Sequence, residues 1–189
     1  MTRSLVFGGA RSGKSAYAER LAIASRKEVV YIATARAGDG EMASRIALHR
    51  RQRPAEWLTV EEPLALADAV LRHCTSGRLV LVDCLTLWLS NLMFSSGAEY
   101  PDVGEIALPA LFHQQRRQLL DALERLDGDL VGDLVLVSNE VGMGIVPYGA
   151  ISRSFTDESG RLNQAVAAAC DHVAFIAAGL PLVLKGAAC

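Results

Sequence analysis

The sequence predicts a single α/β domain over residues 1–189, with a mostly parallel sheet flanked by helices. Three observations carry that expectation. Short aliphatic runs recur at Ser4-Leu5-Val6-Phe7, Val29-Val30-Tyr31-Ile32-Ala33, Leu79-Val80-Leu81-Val82 and Leu134-Val135-Leu136-Val137, and continuous runs of this length belong to strands covered on both faces. Between them apolar residues repeat at helical spacing, the alternation that builds a parallel sheet. The first run leads directly into Gly8-Gly9-Ala10-Arg11-Ser12-Gly13-Lys14-Ser15, which fits G-x-x-x-x-G-K-[ST] in the strand, loop and helix order that this motif requires.

Composition narrows the class. With 189 residues and 51% hydrophobic content the chain has enough material for one proper core and too little for two comfortable domains. No apolar run reaches the length of a membrane span. The first strand and glycine loop occupy the first residues and leave no room for a signal peptide, so a cytoplasmic location is expected. Cys74, Cys84, Cys170 and Cys189 lack C-x-x-C spacing, which argues for reduced thiols rather than a zinc site or disulfides. Nineteen Lys and Arg against twenty-one Asp and Glu, a net charge of −2, argue against general nucleic-acid binding.

Taken in order, Gly8 and Gly13 let backbone N–H groups close around phosphate oxygens, while the helix that follows turns its positive end toward them. Lys14 is placed to reach the outer phosphates, and the Ser15 hydroxyl to hold Mg²⁺. The strand through Ile32 ends at Ala33, Thr34 and Ala35, candidate nucleotide contacts because ligands bind at strand carboxyl ends in open α/β sheets. A turn at Gly38-Asp39-Gly40 precedes a helix expected from Glu41 to about Arg53, stopped by Pro54. There Arg45, His49 and Arg53 share a face, with Arg50 and Arg51 beside them: an anion trap or a solvated basic face. A neutral imidazole can also attack phosphorus, although a histidine so placed reads equally as a surface or core residue.

An extended segment, Trp57 to Val60, delivers Glu61 to its end. Pro63 is expected to open a helix through Leu66, Val70 and Leu71. Leu79 to Val82 ends in Asp83, an aliphatic strand aiming a carboxylate at Mg²⁺, at its bound water or at an attacking hydroxyl; capping of the next helix through Thr86 and Leu87 is the plainer alternative. A helix through Trp88, Leu89 and Leu92 and a long one from about Pro109 to Leu126 follow, with a surface turn expected over Gly128 to Asp133. The strand Leu134 to Val137 ends at Ser138-Asn139-Glu140 and a glycine-rich loop, and a helix from Arg153 to Ala169 carries Arg161, Asn163 and Gln164 as a substrate wall or subunit contact. Val173 to Ala177 and Leu180 to Leu184 read as a terminal hairpin.

The loop Gly8 to Ser15, Tyr31-Ile32-Ala33-Thr34, Met42-Ala43-Ser44-Arg45-Ile46 with His49-Arg50 and Arg53-Pro54, and above all Ser138-Asn139-Glu140-Val141-Gly142-Met143-Gly144-Ile145-Val146-Pro147 together resemble the bifunctional adenosylcobinamide kinase / adenosylcobinamide-phosphate guanylyltransferase family of cobalamin biosynthesis. The likeness spans nearly the whole chain, including Gly160 to Gln164 and Ala178 to Pro181. It implies a P-loop NTPase scaffold with RecA-like strand order and two reactions. A nucleoside triphosphate, ATP or GTP, phosphorylates the aminopropanol hydroxyl of the corrinoid substrate; GTP then gives its GMP unit to that phosphate through a guanylyl-histidine that falls on His49. By the same carry-over the loop, with Lys14, and Thr34 bind triphosphate and Mg²⁺, Arg50, Arg51, Gln52 and Arg53 bind the nucleotide, Glu61 and Asp83 add nucleotide or metal contacts, and the family implies a homotrimer. The residues alone also permit a P-loop small-molecule kinase without nucleotidyl transfer.

Overall fold

Aliphatic runs flanked by turns become strands because their side chains point alternately to two faces, and here both faces are covered. The computed structural model describes residues 1–36, 40, 53–97, 99–126 and 131–187. His49, Arg50, Arg51 and Gln52, with Arg45 and the helix expected over 41–53 up to its last residue, lie outside the described residues, as do Asp129 and Cys189. The described strands are β1 (Arg3–Gly8), β2 (Glu28–Ala33), β3 (Leu58–Glu61), β4 (Arg78–Asp83), β5 (Asp133–Asn139), β6 (His172–Ala177) and β7 (Leu180–Lys185). The described helices are α1 (Lys14–Ser25), α2 (Leu66–His73), α3 (Leu85–Met93), α4 (Ala110–Arg125) and α5 (Ala150–Ala169).

The sheet runs β3-β2-β4-β5-β1-β6-β7, parallel from β3 to β6, with β7 antiparallel at one edge as the hairpin reading expected. Alternation divides the core. Leu5, Val30, Ile32, Val80, Val82, Leu134 and Leu136 face one side and pack with Leu66, Trp88, Phe112, Leu119 and Leu162 from α2 to α5. Their neighbours Val6, Val29, Tyr31, Leu79, Leu81, Val135 and Val137 face the other side, where Tyr17, Ala18 and Ala22 of α1 cover them. This is the P-loop NTPase fold that the motif predicted, and the parallel register brings the carboxyl ends of six strands to one edge.

Two local expectations are corrected. The helix after Pro63 begins at Leu66, because the Glu62 carboxylate first accepts the backbone N–H groups of Leu64 and Ala65 at 2.9 and 2.8 Å and holds that turn open. Asp133 is not part of a surface turn: it opens β5, accepts the Thr2 N–H at 2.9 Å and pairs with Lys27 at 2.7 Å. Gly132 makes that entry possible, since a Cβ there would lie 2.5 Å from the carbonyl oxygens of Thr75 and Arg78.

Candidate active site

The glycine loop leaves β1 at Gly8 and enters α1 at Lys14, and its conformation depends on residues without side chains. Gly13 has φ 94° and no side chain caps α1, so the N–H groups of its first turn are left to face an anion. A Cβ on Gly8 would sit 2.3 Å from the Ile176 carbonyl oxygen, and one on Gly13 would sit 3.0 Å from Gly179 Cα. The loop is therefore seated directly against β6 and the β6–β7 turn. Backbone bonds fix it there: Ser12 N–H donates to Gly9 O at 3.2 Å, Gly179 N–H to Ser12 O at 2.8 Å, and Glu140 N–H to Gly8 O at 3.0 Å. Lys14 Nζ folds back to Gly9 O at 3.3 Å, over the loop. The Ser12 hydroxyl is buried without a hydrogen-bond partner.

Asp83 ends β4 level with Ala33 of β2, two strands from β1, which is about 10 Å at ordinary strand spacing. That gap suits a phosphate and a hydrated cation. The carboxylate does not cap α3, whose N-cap is Cys84 with no side-chain cap bond. Its Oδ2 instead accepts the Tyr31 hydroxyl at 3.0 Å. Above the Tyr31 ring lies Arg53, its guanidinium carbon 3.4 Å from the ring centroid, with Nε and Nη1 buried and without hydrogen-bond partners. Burial raises the Tyr31 phenol far above its ordinary value and the Asp83 charge adds to this, so the hydroxyl stays a donor. The Cys84 thiol is pushed up to about 12, chiefly by burial and then by the Asp83 charge.

The remaining candidates divide by position. Thr34 is fully buried and its hydroxyl is turned inward: it accepts Cys84 N–H at 2.9 Å and donates to Cys84 O at 2.8 Å, tying the ends of β2 and β4 together. Ala33 O accepts Glu62 N–H at 2.9 Å, and Ala35 follows half-buried at the same edge. Glu61 ends β3, four strands from β1, roughly 19 Å from the glycine loop by strand spacing. From there it is too far to touch an anion seated on the glycine loop. Gly9, Ala10, Arg11 and Ser15 lie half-buried or exposed on the loop and first turn.

Sequence reading missed several supports. Asn91 donates to Thr34 O and Pro63 O at 2.8 and 3.1 Å, fixing the β2 exit. Asn163, grouped with the exposed Arg161 and Gln164, is buried; it accepts the Ser138 hydroxyl at 2.6 Å and donates to Asn139 O at 3.0 Å. Tyr31 carried one signal: a phenol inside an otherwise aliphatic buried strand needs a partner for its hydroxyl. Beyond β5, Val141, Gly142, Ile145 and Pro147 line a cleft of about 570 Å³ against Arg153, Asp157, Arg161 and Gln164 of α5.

Comparison with known proteins agrees with this geometry. A family model described as cobinamide kinase / cobinamide phosphate guanyltransferase matches residues 4–184. The chain is similar to the bifunctional adenosylcobalamin biosynthesis protein CobP of Pseudomonas aeruginosa, 52% identical over 184 residues, covering 97% of this chain and 98% of that protein. It is 40% identical over 183 residues to the bifunctional adenosylcobalamin biosynthesis protein CobU of Escherichia coli, covering 96% of this chain and 98% of the relative. Among solved structures it is similar to an ATP synthase subunit, NeqB, from Nanoarcheaum equitans, with TM-score 0.54 at 14% identity, covering 92% of this chain and 45% of that one. That last likeness concerns the fold alone.

Proposed function

Because the chain belongs to the cobinamide kinase / cobinamide phosphate guanyltransferase family and is an enzyme with both activities, we propose that the glycine loop grips the triphosphate in each reaction and that His49 carries the guanylyl group between them. The enzyme phosphorylates adenosylcobinamide with a nucleoside triphosphate and then moves GMP from GTP onto adenosylcobinamide phosphate. In the first step the corrinoid's hydroxyl oxygen attacks the γ-phosphorus, the bond to the β-phosphate bridging oxygen breaks, and the nucleoside diphosphate leaves as the hydroxyl proton passes to a base. In the second, an imidazole nitrogen of His49 attacks the α-phosphorus of GTP and pyrophosphate leaves. A phosphate oxygen of adenosylcobinamide phosphate then attacks the same phosphorus, the P–N bond breaks, and adenosylcobinamide-GDP departs with His49 restored.

The observation that carries this reading is the stack at the sheet edge: Arg53, four residues after His49, lies over Tyr31, whose hydroxyl holds Asp83. It brings Arg53, the described end of the run that the family resemblance assigns to the nucleotide, to the same aromatic ring whose hydroxyl meets the Asp83 carboxylate. Arg50, Arg51, Gln52 and Arg53 then meet the nucleotide, Lys14 and the α1 N-terminus neutralise the phosphates, and Glu61 and the Ala33 to Ala35 exit stand toward base and ribose. Mg²⁺ fits the donors present. Ser15 offers a hydroxyl and Asp83 a carboxylate with one oxygen already committed to Tyr31, the sparse oxygen set this ion takes when phosphates and waters complete its shell. Bound there it would neutralise charge on the transferring phosphates.

We further read the enzyme as a cytoplasmic homotrimer with no nucleic-acid partner and no membrane span. Supporting this are the free, buried thiols of Cys74, Cys84 and Cys170 and apolar side chains left exposed on edge strand β7 at Leu180, Leu182 and Leu184; among the described residues no helix is long and apolar enough to cross a membrane. Light scattering coupled to gel filtration measures the subunit number. Product analysis tests the roles: with adenosylcobinamide, ATP and GTP, Lys14→Ala should lose both products, while His49→Ala should accumulate adenosylcobinamide phosphate. Formation of adenosylcobinamide-GDP by His49→Ala at the wild-type rate contradicts the assignment.

A further inference from the structure

The cleft beyond β5 is used by no step described above, and its two walls differ in character. One is the loop leaving β5, where Ile145 is 97% and Val146 76% exposed, with Met143 and Tyr148 exposed beside them. The other is the outer face of α5, where Arg153, Asp157 and Arg161 follow one another four residues apart and Gln164 lies one turn on. A second hollow of about 390 Å³ shares Pro147 and Thr156 with the first and is walled by Phe94 and Phe155. An exposed apolar patch set against a few convergent polar groups is the make-up of a ligand site.

Gly160 stands in the middle of the α5 wall. A Cβ there would meet no atom within 4 Å, so among the described residues no packing requires a glycine, and glycine inside a helix is less stable than alanine. Its effect is to keep the cleft open. The cleft also begins at the glycine loop. β5 lies beside β1, about 5 Å away at strand spacing. Glu140 N–H donates to Gly8 O at 3.0 Å, and Glu140 Oε1 accepts the Gly142 N–H at 2.6 Å. At its far end the same wall is held by the Arg153 guanidinium, which donates to the carbonyls of Pro147 and Tyr148.

We propose that this cleft is the corrinoid subsite, seating one edge of the adenosylcobinamide macrocycle while the hydroxyl arm extends toward the glycine loop. The inference rests on the reading, given above, that this loop holds the triphosphate. A corrinoid is a broad ring with apolar faces and a rim of primary amides. Its apolar edge meets Ile145, Val146 and Pro147; rim carbonyls accept from Arg161, and rim amide N–H groups donate to Asp157 and Gln164. A cleft of about 570 Å³ takes an edge of such a ring rather than the whole.

Gly160→Leu tests this without removing any contact. Leucine favours the helix and no atom stands where its Cβ would lie, so the thermal midpoint should equal or exceed that of the wild type. The KM for adenosylcobinamide should rise roughly tenfold or more, because a few misplaced methylenes close a pocket to its ligand. The KM for ATP should stay within about twofold, as for a contact made to one substrate only. Ile145→Asp, at an almost fully exposed position on which folding does not depend, should raise the corrinoid KM roughly tenfold by removing an apolar contact. Equilibrium dialysis of the whole enzyme against adenosylcobinamide should rank the affinities in the same way.

A wild-type corrinoid KM in both variants overturns the proposal. So does a lower subunit number by light scattering with both substrates weakened together, which would make the cleft a contact between copies of the chain. Lys14→Ala with wild-type nucleotide affinity refutes the triphosphate reading instead, while dialysis against the corrinoid without nucleotide still decides the cleft.

Discussion

Replacing Asn163 with alanine strikes the polar contact that fastens α5 to the end of β5. The carboxamide accepts from Ser138 Oγ at 2.6 Å and donates to Asn139 O at 3.0 Å, in a site where Asn163 is 7% and Ser138 1% exposed. Truncation leaves a buried hydroxyl and a carbonyl to find other partners. An unsatisfied buried group costs about 1–3 kcal/mol. The hydroxyl can turn toward Thr86 Oγ1, 3.5 Å away, which offsets part of its share. The net loss should then be roughly 2–4 kcal/mol, and with about 2–4 °C per kcal/mol for a chain of this size the midpoint should fall by roughly 5–15 °C. Urea unfolding with the slope held at the wild-type value measures it. Because Asn139 precedes Glu140, whose N–H braces Gly8 O at 3.0 Å, protection of the fold by added GTP and Mg²⁺ should shrink as well. A change below about 0.5 kcal/mol would refute the reasoning, since a solvated asparagine costs that little.

Other expectations follow from single contacts. Gly8→Ala must push the loop off the Ile176 carbonyl, 2.3 Å from the new Cβ, so a loss of about 1–3 kcal/mol and of nucleotide-induced thermal protection is expected in a melting assay; a wild-type midpoint would contradict the seating of the loop. Thiol labelling at pH 8 with mass-spectrometric mapping should leave Cys74, Cys84 and Cys170 unmodified until unfolding, because burial raises them to about 11, 12 and 12. Asp171 is held below the ordinary carboxylate value: burial pushes it up, but hydrogen bonds from the Arg3 side chain and backbone, with the Arg3 charge, pull it further down. A depressed folded pKa means stability that is present above the unfolded value, about 4, and is lost as the pH falls through the lower folded one. The wild type should therefore exceed Asp171→Asn by a constant margin from pH 5 to 8 in urea melts, and the margin should vanish on acidification; a margin that grows in acid would reverse the sign.

Local pattern made the scaffold legible. Each aliphatic run carries its own evidence of burial on two faces, and the glycine loop announces both its strand and its helix, so the sheet and the strand-loop-helix unit could be read from neighbours in sequence. What escaped lies between residues far apart. The Tyr31 to Asp83 and Asn163 to Ser138 bonds close over 52 and 25 residues, and nothing in the spacing of either element says which side chain will meet which. The start of α2 escaped for another reason, since Glu62 hydrogen-bonds its own following backbone and competes with the helix that Pro63 would open. The identity of Asp133 as a strand opener depended on Gly132 passing two carbonyls, a close approach visible only once β4 and β5 pair.

The central claim is that one chain both grips a triphosphate in its glycine loop and takes a guanylyl group onto His49. Incubation of the enzyme with GTP labelled in the α-phosphate tests it most directly, followed by denaturation and peptide mapping. Acid-labile, alkali-stable label on the peptide containing His49, absent from His49→Ala and from Lys14→Ala, is the predicted result. Wild-type enzyme that converts adenosylcobinamide phosphate to adenosylcobinamide-GDP while holding no label would contradict it.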